Sequence, residues 1–321
     1  MSVEGAAESS TAVRVVFFGS GSFAVPILDA LAEMAGLRVI GVVSAPDRPA
    51  GRKAILTPTA VTARARQLGL PLLQPVRVRK PESVDALTAL APELIVLADY
   101  GQLIPRTLLD LPPRGFLNVH PSALPRHRGA APIPATILAG DVDSAVTLIV
   151  LTEELDAGPI VAVEPLEVRP DDTAPTLEER AAGAAARLVR WALPKWLAGG
   201  LEARPQATDG VTVTRPLRRE DGLVDPQRSA AELERQVRAY QPWPGSHLAT
   251  PLGRLQVWRS RAVPSLPGDA AGWLVDTGGS LALTTARGRL ALDEVQLAGG
   301  RRMSSAELLR GHPGLGRIAL P

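Results

Sequence analysis

The sequence predicts an α/β protein: a mostly parallel sheet with helices on both faces, followed by a smaller antiparallel β domain. Three observations carry this expectation. Through the first two hundred residues, short apolar runs alternate with stretches of helical periodicity, as in strands buried on both faces between crossover helices. Beyond residue 210 the texture changes to short strands of alternating polarity between turn residues, which suggests a small β-barrel of oligonucleotide-binding type. Between the two, residues 199–210 (GGLEARPQATDG) have the composition of a linker. The expected boundaries are therefore a flexible tail over 1–12, an α/β domain over 13–198, the linker, and a second domain over 211–321.

Each element has its own signal. Val13 to Phe18 is a β-branched and aromatic run stopped by Gly19-Ser20-Gly21, and Val25 to Met34 repeats apolar residues (Ile27, Leu28, Leu31) at helical spacing. Val39 to Val43 reads as a second buried strand, Thr59 to Leu68 as a helix, and Glu93 to Leu97 and Phe116 to His120 as further strands. Thr176-x-x-Glu179 has capping-box spacing at the head of a long helix closed by Gly199-Gly200. In the second domain, Ser229-x-x-Glu232 opens a helix and Ser304-x-x-Glu307 a last short one. Strands are expected at residues 254–260, 272–276, 280–285 and 289–295.

Composition narrows the chemistry. The chain has 321 residues and no cysteine, which removes disulfides, thiolate catalysis and cysteine-held metals. The four histidines show no metal-ligand spacing, so no metal is expected. No apolar run approaches the ~20 residues of a membrane span, and the first residues lack the basic flank and apolar core of a signal peptide. A cytoplasmic, monomeric protein is the expectation. Net charge is only +2, yet residues 207–321 carry 15 Arg against 11 acidic residues while the rest of the chain is slightly acidic. A polyanionic partner for this C-terminal part fits that distribution.

Gly19-Ser20-Gly21-Ser22-Phe23-Ala24 satisfies a relaxed dinucleotide fingerprint. That fingerprint wants an acidic residue at the end of the second strand, where this chain has Ser44-Ala45-Pro46. A tight strand-to-helix turn explains the glycines better than a nicotinamide site. Pro46 to Lys53 is a polar loop with three cations, Arg48, Arg52 and Lys53, suited to contacting phosphates.

The chemistry concentrates in Phe116 to Gly129. Alternate residues of a strand share a face, so Asn118 and His120 project together just before a proline-containing loop. Asp156 follows the apolar stretch Val146 to Leu151 and can meet them where two strands end. An imidazole beside a carboxylate suits proton transfer near neutral pH, and an amide N–H suits stabilisation of an oxyanion. With neither a G-x-S-x-G elbow nor a cysteine, acyl transfer to an amine without a covalent intermediate is the expected class. Ser122, next to a proline, is read as a residue that positions the backbone.

These motifs resemble the folate-dependent formyltransferase family. The matching pieces include Pro46-Asp47-Arg48-Pro49-Ala50-Gly51-Arg52, Tyr100-Gly101-Gln102-Leu103-Ile104-Pro105, Asn118-Val119-His120-Pro121-Ser122, Leu155-Asp156-Ala157-Gly158, Glu220-Asp221-Gly222 and Gln241-Pro242-Trp243-Pro244-Gly245, in family order from about residue 13 to residue 311. The arginine loop and the Pro-Trp-Pro segment favour the branch of the family that acts on aminoacylated tRNA.

The resemblance implies a Rossmann-like catalytic domain and an oligonucleotide-binding-like second domain that helps to hold tRNA. It implies 10-formyltetrahydrofolate as co-substrate, with the formyl group passing to the α-amino group of methionine on initiator tRNA. Asn118, His120 and Asp156 would be catalytic. Leu103, Ile104, Ser122, Ala123, Leu124, Pro125 and Gly158 would line the folate site, and Arg48, Arg52 and Lys53 would meet the tRNA. A nucleotide-linked amino sugar is the alternative formyl acceptor. An NAD-dependent oxidoreductase and a non-catalytic RNA-binding module are the rivals from other classes. The chain departs from the family pattern at Ala123, at the shortened basic loop, at Asp225-Pro226 and at Asp99, a carboxylate where an apolar or small residue is usual.

Overall fold

A computed structural model describes residues 12–50 and 54–320. Within it the chain forms two compact units. The first takes the chain up to Ala130 together with Asp143–Glu167 and Glu178–Val213; the second takes Ala131–Val142, Val168–Leu177 and the chain from Thr214 on.

In chain order the elements are β1 (Val13–Gly19), α1 (Val25–Glu33), β2 (Leu37–Val43), β3 (Arg48–Ala50), β4 (Ile55–Thr57), α2 (Ala60–Gln67), β5 (Leu72–Leu73), α3 (Pro81–Ala89), β6 (Leu94–Ala98), α4 (Arg106–Leu109), β7 (Phe116–His120), β8 (Arg128–Gly129), α5 (Pro132–Ala139), β9 (Asp143–Val150), β10 (Ile160–Glu167) and α6 (Ala174–Leu197). There follow β11 (Val213–Thr214), α7 (Ala230–Ala239), β12 (Ser246–Thr250), β13 (Gly253–Val263), β14 (Trp273–Asp276), β15 (Leu281–Thr284), β16 (Arg289–Leu297), β17 (Met303–Ser304), α8 (Ser305–Gly311) and β18 (Arg317–Ala319).

The first unit is built on a seven-stranded sheet of order β10-β9-β7-β6-β1-β2-β5. Strands β5, β2, β1, β6 and β7 run parallel, while β9 and β10 are antiparallel to their neighbours. Every residue of β6 and β7 is buried, as expected of central parallel strands covered on both faces. Val16, Phe18, Ile95, Leu97, Leu108 and Phe116 form the core on one side, and the Tyr100 ring packs edge-on to Phe18 at 5.2 Å between centroids.

The glycines after β1 are explained by packing. A Cβ on Gly19 would lie 2.9 Å from the Ala24 Cβ, and one on Gly21 would lie 1.7 Å from a carboxylate oxygen of Asp99. Two close approaches at one strand-to-helix turn account for the G-x-G pattern without a dinucleotide.

The sheet of the second unit has the order β12-β13-β16-β15-β14-β18, with β17 added on β16, and its strand pairs are antiparallel. It is a curled half-barrel, and register shifts at Val257 and Arg259 fall on β13, where bulges increase twist. Leu233, Leu248, Leu255, Leu274, Leu290 and Val295 belong to its core. Both capping boxes expected there are present: Ser229 and Glu232 close the head of α7, and Ser304 and Glu307 that of α8.

Two details differ from the sequence expectation. The loop expected at Pro46 to Lys53 includes one strand of a two-stranded antiparallel arm, β3 against β4; Arg52 and Lys53 themselves lie outside the described residues. The long helix begins at Ala174, ahead of the expected cap. There the Thr173 Oγ1 accepts the Thr176 N–H at 3.4 Å, and the Thr176 hydroxyl donates to Asp172 at 3.0 Å, so Thr176 sits inside the first turn.

Candidate active site

Strand β7 ends in the candidate site. Its register sets Asn118 opposite Leu97 of β6 on one side and Ile149 of β9 on the other, and His120 opposite Thr147. Both side chains are about 95% buried, with exposures of 5% each. A buried amide and imidazole need partners, and the two loops that follow supply them.

Asp156 is the hub. Its Oδ1 accepts from the Asn118 amide at 3.0 Å and its Oδ2 accepts from the Gly129 backbone N–H at 2.8 Å. The residue adopts a left-handed conformation, φ +49°, which Asp tolerates better than most residues. Its backbone is also held, because the Gln206 amide donates to the carbonyls of Asp156 and Gly158 at 2.7 and 2.8 Å. The Gln206 oxygen in turn accepts from the Arg128 guanidinium at 2.7 and 3.1 Å.

His120 is brought to Asp156, but another group fixes its ring. Its Nδ1 lies 3.6 Å from Asp156 Oδ2, a charge contact too long for a hydrogen bond. The bond that fixes the ring runs from Nε2 to the His127 carbonyl, at 2.9 Å. His127 is itself in a left-handed turn, φ +58°, and the Thr212 hydroxyl accepts its backbone N–H at 2.7 Å. The imidazole therefore stands between two acceptors. Neutral, it has one N–H for the pair; protonated, it has one for each.

The other expected residues divide. Ser122 is fully buried and donates its hydroxyl to the Arg126 carbonyl at 2.7 Å, while its own carbonyl accepts from the Thr147 hydroxyl at 2.7 Å. Both bonds tie the loop to its own backbone and to β9. Leu124 is buried, and Ala123 and Pro125 are partly buried. Leu103 and Ile104 lie on the loop after β6, the strand beside β7; Leu103 is 75% exposed, an apolar side chain facing solvent. Gly158 admits no side chain, since a Cβ would lie 1.7 Å from the Val150 carbonyl oxygen. Arg48 is exposed on the arm.

Gly129, His127, Thr212, Gln206 and Thr147 were not singled out as site residues from the sequence. All five act through backbone groups or on them, and such roles leave little residue-type signature. His127 had a weak one, a second histidine seven residues after the first, in the loop that follows its strand.

Two groups near the loop after β6 are displaced from their ordinary titration. Burial pushes the Tyr100 phenol up to about 12, and its hydroxyl is buried with no hydrogen-bond partner among the described residues. Desolvation of the carboxyl group and then the charge of Glu178 raise Asp99, against a hydrogen bond from the Gly21 N–H that lowers it. A cleft of about 390 Å3 within the first unit is walled by Arg128, Glu154, Ala157, Gln206 and Val211, beside Asp156 in sequence. A larger one, about 570 Å3, lies in the second unit and includes none of the site residues.

Comparison with known proteins gives the geometry a family. Residues 13–193 match the formyl transferase family and residues 216–313 the formyl transferase C-terminal domain. The chain is 43% identical over 301 residues to methionyl-tRNA formyltransferase of Halorhodospira halophila, covering 94% of this chain and 96% of that protein. It is 37% identical to that of Bacillus subtilis, covering 93% and 94%.

Solved structures share the fold at lower identity. An N-formyltransferase from Helicobacter canadensis, in complex with folinic acid and dTDP-3-aminofucose, superposes with a TM-score of 0.65 at 13% identity over 87% of this chain and 98% of that one. Methionyl-tRNA formyltransferase from Clostridium thermocellum gives 0.55 at 15% identity over 80% and 95%. HypX from Aquifex aeolicus, in complex with tetrahydrofolic acid, gives 0.61 at 18% identity over 94% of this chain; this chain spans 47%, about half, of that longer protein. On the family match and the near full-length identities, the chain belongs to the formyl transferase family, among the methionyl-tRNA formyltransferases.

Proposed function

We propose that this chain transfers the formyl group of 10-formyltetrahydrofolate to the α-amino group of methionine on initiator tRNA, in the cytoplasm and as a monomer. The carrying observation is the Asn118–Asp156–Gly129 bonding with His120 set between Asp156 and the His127 carbonyl. The relatives' shared name supports the acceptor, and the folate-bound fold neighbours support the donor.

The residues present fit a folate. Leu103 offers an exposed apolar side chain on the loop after β6, and at Gly158 no side chain can stand against the Val150 carbonyl oxygen. Bound there, 10-formyltetrahydrofolate supplies the formyl group. Asn118 spends one of its two amide N–H groups on Asp156 and keeps the second for the oxygen that gains charge during acyl transfer. A free α-amine titrates at ~7.7–8 and attacks only when neutral. With Nε2–H on the His127 carbonyl, His120 Nδ1 is the nitrogen left to take the amine's proton, and Asp156 Oδ2 faces the cation so formed. Asp156, with both oxygens bonded, stays fixed through the reaction.

We assign the catalytic steps to residues 13–198 and tRNA holding to residues 211–321, to Arg48 on the arm, and to Arg52 and Lys53. Among the described residues, no helix is long and apolar enough to cross a membrane. The test is a formyl-transfer assay offering charged initiator tRNA and a nucleotide-linked amino sugar in parallel. Formylated methionyl-tRNA is the expected product. Transfer to the sugar alone would overturn the acceptor and leave the chemistry standing.

A further inference from the structure

The segment Gln74-Pro75-Val76-Arg77-Val78-Arg79-Lys80 leaves the sheet after β5 and was not singled out from the sequence. Val78 is fully buried in the core of the first unit, while Arg77 and Arg79 on either side of it are exposed. Burying the valine thus turns both arginines outward. Among the described residues, neither guanidinium has a hydrogen-bond or ion-pair partner, whereas neighbouring Lys80 pairs with Glu82 at 3.4 Å.

The segment is tied on two sides. The Gln74 amide donates to the Ala45 carbonyl at 2.9 Å and to Asp47 at 2.7 Å, at the root of the β3–β4 arm. Gln102, on the loop after β6, accepts from the Val78 N–H at 2.8 Å and donates to the Pro75 carbonyl at 3.3 Å. Asp47, at the root of the arm, is also engaged by Arg66 at 3.0 Å. Arg77 and Arg79 therefore stand exposed, with no partner among the described residues, on a segment whose Gln74 is bonded to the root of the arm that carries Arg48. Exposed, unpaired arginines on a fixed rim suit the phosphates of a nucleic acid, which lie on a convex surface and need no pocket.

We propose that Arg77 and Arg79 form a second phosphate-binding element for the tRNA substrate, continuous with the arm. This rests on the tRNA reading given above. The two arginines position the tRNA and touch no reacting atom.

The test is steady-state formyl transfer to charged initiator tRNA at several salt concentrations, by the full chain, its Arg77→Ala/Arg79→Ala double variant and the Arg77→Lys/Arg79→Lys double variant. The alanine pair is expected to raise KM for tRNA about tenfold at low salt, as for the loss of two exposed charge-assisted contacts. It should also flatten the dependence of log KM on log salt by roughly 1–2, one counterion or slightly less per phosphate. kcat and KM for the folate should hold, and the lysine pair should restore most of the salt slope. An unchanged KM and slope for tRNA overturns the inference alone. A rise in KM for the folate in place of tRNA overturns it as well and assigns the arginines to the folate's carboxylates. No transfer to tRNA by the parent chain would overturn the inference and the reading beneath it together.

Discussion

Asp156 holds two donors that do not move with substrate, the Asn118 amide and the Gly129 N–H, and that pairing makes its charge hard to replace. Asp156→Asn must point an amide N–H at one of them. With the left-handed backbone tolerated by Asn, the cost isolates the donor conflict, about 1–3 kcal/mol in urea unfolding, along with a fall in kcat. Asn118→Ala removes the proposed oxyanion donor, and formyl transfer should slow by ~10²–10³; a loss confined to KM would exclude that role. Asp99 gives a pH signature. Its pKa is raised in the fold, so the folded state binds more protons than the unfolded chain above the ordinary carboxylate range. Stability from this group is therefore present at low pH and lost as pH rises through the raised pKa. Asp99→Asn should raise the thermal midpoint near pH 7 and lose that advantage toward pH 4. Midpoints measured across that range check the sign, and an advantage that grows on acidification would contradict it.

At the scale of elements, the site depends on loops pinned by backbone contacts. Gly158 approaches the Val150 carbonyl too closely for any Cβ, so Gly158→Ala should cost about 1–3 kcal/mol and raise KM for the folate, read by unfolding and steady-state assays. What was legible in the sequence follows from the same physics. The alternation of Asn118 and His120 on one strand face survives in the structure because side-chain period is local. The boxes at Ser229 and Ser304 were legible because each is complete within four residues. The partner of His120 was not. The bond falls to the carbonyl of His127, aimed by a turn whose φ of +58° and whose Thr212 anchor lie 85 residues apart in the chain. Nor was the arm, since Pro46 to Lys53 has loop composition and its pairing partner, Ile55–Thr57, is short and exposed. Helix α3 and strand β10 also went unseen, one for its weak amphipathicity and the other because Glu164 and Pro165 interrupt its apolar run.

For the whole molecule, a ligand that binds only the folded state raises its stability, by about 2.7 kcal/mol at a hundredfold excess over Kd. Tetrahydrofolate should therefore raise the thermal midpoint and NADH should leave it unchanged, since packing against Ala24 and Asp99 accounts for Gly19 and Gly21. A shift with NADH alone would return the glycine turn to the dinucleotide reading. The proposed contacts with tRNA spread over a slightly acidic N-terminal part and a basic C-terminal part, so affinity for tRNA should fall steeply with salt while affinity for the folate does not. The chemistry itself is tested most directly by the kinetics of His120→Ala with charged initiator tRNA. Loss of a proton acceptor should lower kcat by ~10²–10⁴ and leave KM for tRNA nearly unchanged. An undiminished kcat, or equal losses in kcat and in tRNA affinity, would contradict the assignment of His120 as the base.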